Sequence, residues 1–127
     1  MKNVFFYLGL GTLFTHELDA ISNHEWKLLP ILRSLPDDLA TNLFVLLHIP
    51  LFAVLLALVS STNHQLRQWS RVGVSVFLVI NAGLHLWFMN NIEYEFASKV
   101  SNILIFGGAL FGGFHIAAFA MDNRHSE

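Results

Sequence analysis

Apolar residues collect in four runs, roughly 4–21, 41–60, 72–89 and 102–121, and polar and charged residues fall between them. Each run holds close to the ~20 residues that a helix needs to cross a bilayer core of about 30 Å. The pattern predicts an all-α, integral membrane four-helix bundle that runs up and down as one domain over residues 1–127. The first run follows Met1, Lys2 and Asn3 and has the outline of a signal peptide. No A-x-A-type cleavage site follows it, and His16, Glu17 and Asp19 stand where one would be, so it is read as a retained span.

Between the first two runs, residues 23–40 alternate Trp26, Leu28, Leu29, Ile31, Leu32 and Leu35 with Lys27, Arg33, Asp37 and Asp38, punctuated by Pro30 and Pro36. This predicts a short interfacial helical segment between spans one and two, anchored by Trp26. It carries none of the candidate site residues. The connectors 61–70 and 90–101 read as interfacial loops, and His24, His64 and His125 as solvated surface.

The informative positions are the polar ones inside the apolar runs, because an ionisable group in lipid must be paired, protonated or bound to something. In span one, Gly9, Thr12, His16, Asp19 and Asn23 recur at steps of three and four and share one helical face, which points inward. Glu17 lies about 100° round from His16. The zinc-protease pattern H-E-x-x-H is excluded twice, since Ala20 and Leu28 stand where the second histidine is required. Span two offers His48, with Pro50 two residues on freeing the Leu46 carbonyl. Span three offers Asn81 and His85 on one face. Span four carries Gly107-Gly108-Ala109-Leu110-Phe111-Gly112-Gly113, in which Gly108 and Gly112 are read as helix packing rather than phosphate binding, with His115 beyond them.

Depth decides which histidines can meet. In an up-and-down chain, counted at 1.5 Å per residue from the shared face, His16 lies ~8 Å deep, His48 ~10 Å and His85 ~7 Å, whereas His115 is ~20 Å away in the other leaflet. At the shared level span four contributes Ser101 and Asn102, with Glu93 or Glu95 within reach from the connector.

Composition supports the membrane reading and narrows the chemistry. The chain is 54% hydrophobic and only 13% charged, with a mean hydropathy of +0.55, which is about half the charge fraction of a soluble domain. A net charge of -2 without a basic tract argues against a nucleic-acid partner. With no cysteine, thiolate ligands and thiol nucleophiles are excluded. Imidazoles and carboxylates remain, and neutral imidazoles with one acid suit zinc, or iron if positions stay open.

The expected metal ligands are therefore His16, Asp19, His48 and His85, with Asn81 and Asn102 orienting the imidazoles. An ion there would offset the charge of Asp19 or Glu17, and either acid could then take a proton from a bound water in an enzyme acting on a lipid or other amphiphile. The alternative is a non-enzymatic bundle, a transporter, proton relay or accessory subunit, in which the same groups are interhelical glue. Haem between two histidines is a further possibility, ranked lower because a third histidine and acids at one level are unnecessary for it.

His16 followed by acids at the end of span one, Asn42 through His48, Asn81 through His85 and a small-residue-rich last span resemble the uncharacterised bacterial membrane proteins of the HXXEE type, and small four-span relatives with an H-E-L-D-A signature. The resemblance covers most of the chain. The core here reads H-x-x-D, with Ala20 in place of the second glutamate. It implies a four-helix bundle in a bacterial inner membrane and carries no established activity. Lys2, Arg67, Arg71 and Arg124 on one side, against Lys27, Arg33 and Lys99 on the other, favour cytoplasmic termini and a histidine level near the external face.

Overall fold

A computed structural model describes residues 1–124, with side chains as far as Asp122; His125 of the polar tail lies outside the described residues. The chain is all-helical: α1 (Lys2–Ser22), two 3-10 turns (Glu25–Lys27 and Leu32–Ser34), α2 (Asp37–Val59), α3 (His64–Phe88) and α4 (Lys99–Arg124), with no strand among the described residues. Three of these, α2, α3 and α4, are long and apolar enough to cross a membrane. The first helix falls outside that group because His16, Glu17 and Asp19 interrupt it, although its 21 residues make a rod of about 31 Å.

Helices α1 and α3 both pack along α4, while α2 rests on α3 and on the 3-10 turns. Opposite ends meet, as Lys2 pairs with Asp122 at 2.7 Å and Asn23 reaches Ser101 at 3.5 Å, so α1 and α4 are antiparallel. Most of α2 is uncovered: Leu46, Leu47, Ile49, Leu51, Val54 and Leu56 are exposed. So large an apolar surface on a chain of this size suggests association with a membrane.

Small residues explain how closely α4 approaches its neighbours. A Cβ on Gly112 would stand 2.6 Å from the Ser75 carbonyl oxygen, and one on Gly108 would meet Leu78 at 3.2 Å. Leu78 therefore seats in a hollow floored by Gly9, Gly108 and Gly112. Because backbone and not a flexible side chain blocks it, Gly112→Ala is expected to cost about 1–3 kcal/mol. The comparison is Gly113→Ala, whose new methyl meets nothing within 4 Å. Equal melting temperatures for the two variants would refute the close approach.

At the end of α1 the chain turns sharply. The Asn23 N–H bonds back to Asp19 O, and His24 then adopts φ 50, a left-handed conformation that costs a non-glycine residue about 1 kcal/mol. The connector consequently folds over the bundle end instead of spreading along the interface. Trp26, expected to anchor in the headgroup region, is only 3% exposed, and its Nε1–H donates to Asp37 Oδ1 at 3.0 Å. Ala20, Phe44 and Phe96 bury the connector's Trp26, Leu28 and Leu32, and the satisfied indole N–H removes the usual reason for a tryptophan to stay at the interface.

Candidate metal centre

Three elements meet beneath that folded connector. His16 projects from the inward face of α1 and His85 from α3, both buried, with their Nε2 atoms 3.3 Å apart. The turn at His24 delivers Glu25, whose Oε2 lies 3.9 Å from His16 Nε2. One ligand atom from each of the three falls within 4.8 Å of the others. Phe96, 1% exposed, packs on both imidazoles and excludes water from one side.

The carboxylate oxygens are under-used as they stand, and so is the His16 ring nitrogen that does not face His85. His16 Nδ1, Asp19 Oδ2 and Glu25 Oε2 are buried without a hydrogen-bond partner among the described residues. Such groups normally cost 1–3 kcal/mol each, more when charged. A tetrahedral zinc with Zn–N of 2.0–2.1 Å has ligand-to-ligand edges of about 3.3–3.4 Å. The imidazole pair already has that spacing, and Glu25 needs to close by about half an ångström on His16 and by up to about 1.4 Å on His85. His85 Nδ1 lies 3.3 Å from the Tyr94 hydroxyl, a partner of the kind that leaves Nε2 with its lone pair for an ion.

Electrostatics favour a cation here. Burial pushes the Glu25 carboxyl up to about 7, the negative Glu17 and Asp19 add to the rise, and His48 partly opposes it. Burial, and then Glu25 itself, raise the Tyr94 phenol as well. A divalent ion would stabilise every one of these anionic oxygens at once.

His48 stands beside this group with its own partner. Its Nδ1–H donates to the Phe44 carbonyl at 2.6 Å, so the 2.8 Å contact between Nε2 and Glu17 Oε2 must share one further proton. Asp19 is half-buried and near enough to act on His16, His85 and Glu25 through its charge. Asn81 is buried one turn before His85, and among the described residues it bonds to neither imidazole. Asn102 donates to Ser98 O at 2.8 Å, within its own helix. His115 is remote, at 2.7 Å from Ser75 Oγ, and His24 pairs with Glu95 at 2.8 Å.

The sequence model of a family of unknown function, DUF6713, matches residues 2–122. The chain belongs to that family. No curated protein and no solved structure matches it. The likeness to HXXEE-type proteins is not confirmed by this match, which supports an uncharacterised family in its place.

Glu25 is the member of this His/Glu group that sequence reasoning leaves out. It stands next to His24 in a connector without periodicity, and nothing in its spacing from His16 says that the chain doubles back. The one available signal is the sequence His24-Glu25 itself, an adjacent imidazole and acid at the end of an apolar run. Tyr94 and Phe96, which wall the site, lie in the equally irregular segment before α4.

Proposed function

We propose that this DUF6713 member is an integral membrane metalloprotein in which His16, His85 and Glu25 hold zinc or iron, with Asp19 as a further oxygen donor, and that it acts on a lipid-like amphiphile. The observation that carries the reading is the His16–His85 Nε2 spacing of 3.3 Å with a carboxylate 3.9 Å away, beside the unpartnered buried oxygens Glu25 Oε2 and Asp19 Oδ2. An ion at that point supplies Lewis acidity toward water or a substrate oxygen. The Glu17–His48 pair holds and returns the proton that such chemistry moves.

A side cavity of about 310 Å³ supports the substrate class. Leu13, Leu51, Phe52, Leu55 and Phe77 line it between α1, α2 and α3, and Glu17 is its one charged lining group. An alkyl chain fits those walls, and the polar end of the same molecule would then lie against Glu17. Under this reading the termini are cytoplasmic and the centre is near the outer face.

Elemental analysis of the purified full chain tests the proposal. The expected result is about one zinc or iron per chain. A folded protein that carries no metal and takes none up from added zinc or ferrous salts overturns it. The interhelical contacts His48–Glu17 and Ser75–His115 favour a second reading, in which the polar groups are fasteners only. That reading predicts modest stability losses on His→Ala substitution and no change in any bound ion.

A further inference from the structure

At the end of the bundle opposite the metal centre, a cavity of about 160 Å³ opens between the start of α1, the start of α3 and the last turns of α4. Its nitrogen-bearing walls are Lys2, His64, Arg67, Arg71 and His115, and no carboxylate lines it. On α3 the contributing positions 64, 67, 68 and 71 repeat at helical spacing, so one face of that helix is given over to the cavity. We infer that this is a binding site for a phosphate-type oxyanion, separate from the metal centre and independent of it.

The bonding of the cations favours an anion. Arg71 donates to Val59 O, Asn3 Oδ1 and Tyr7 Oη, and its guanidinium lies 4.8 Å from the Phe6 ring centre. Arg67 donates to Ser61 O at 2.5 Å. All of these partners are neutral, and neither arginine has an ion-pair partner among the described residues. Only Lys2 is offset, by Asp122. Both arginines are half-buried, so their positive field is less screened than that of a fully solvated side chain. Asn3 and Gln68 add neutral amide donors at the rim. The pocket at the other end of the molecule is different: Asp37 and Glu93 accompany Lys27 and Arg33 there, and the charges cancel.

The shared chemistry is a phosphate group, carried either by a free anion or by an anionic phospholipid at the membrane edge, where guanidinium groups bind it through two N–H donors at once. The test uses the purified full chain in two arms. Equilibrium dialysis against radiolabelled inorganic phosphate reads the free anion, and native mass spectrometry from phosphatidylcholine nanodiscs doped with phosphatidylglycerol reads the lipid. Saturable binding in the first arm identifies a soluble-phosphate site, and selective retention of phosphatidylglycerol in the second alone identifies a headgroup site.

Arg67→Gln keeps a donor for Ser61 O and removes the charge, and binding should weaken about ten-fold or more, with the remainder falling as salt rises. Arg33→Gln, at the opposite end, should change nothing. Absence of binding in both arms overturns the inference, as does binding that Arg67→Gln leaves unchanged or that Arg33→Gln reduces equally.

Discussion

Zinc or iron falls from about one ion per chain to below about a tenth when His16 and His85 are both replaced by alanine. Each imidazole would supply a direct bond from a buried, rigid position, and the two carboxylates left behind, Glu25 and Asp19, would be weak ligands on their own. The single variants should each lose more than about 100-fold in affinity, beyond what loss of a merely supporting group costs. His48→Ala is the informative comparison, because His48 spends its two ring nitrogens on Phe44 O and Glu17. It should retain the ion. If His48→Ala loses metal as completely as His16→Ala, the ion lies closer to α2 than proposed. Retention of full metal by the double variant would remove the centre altogether, with circular dichroism serving to show that the helices are intact.

The metal-stripped protein should lose stability as pH rises from about 4.5 to about 7, and Glu25→Gln should abolish that part of the dependence. The carboxyl holds its proton more tightly folded, near 7, than unfolded, near 4.5. Its contribution is therefore complete below the lower value and gone above the higher one. The interval corresponds to something on the order of 3 kcal/mol. His16, Glu17 and Asp19 of α1, His48 of α2, His85 of α3 and Tyr94 of the connector all face this region, so the quantity to read is the difference between parent and Glu25→Gln thermal profiles. With saturating zinc the slope should reverse, since the ion takes the deprotonated form. Parallel profiles in chelator would show that Glu25 is solvated and not held under the connector.

The helices were legible because a bilayer imposes runs of about 20 apolar residues whatever else the chain does. The meeting of His16 and His85 was legible for a related reason: 1.5 Å per residue converts sequence position into depth. Depth is silent on rotation about the helix axis, and this is why His48, at a similar height, faces Glu17 and not the other imidazoles. The connector was the opaque part. Trp26, Leu28 and Leu32 alternate with charges in a way that suits a headgroup layer and a folded cap equally, and only the left-handed turn at His24 distinguishes them. Since Glu25 rides on that turn, the site was half readable: its walls from the helices were visible, and its lid was not.

The order of synthesis gives that lid a meaning of its own. Glu25 leaves the ribosome well before His85, Tyr94 and Phe96, yet the fold of its connector leans on Phe96 and on Ile105 of α4. A nascent chain stalled after two helices therefore holds His16 and Glu25 without the His85 that faces them or the Phe96 that packs over them. If the proposed ion binds, its uptake would therefore wait on the segment that carries Phe96 and on α4, the last parts of the chain to be made.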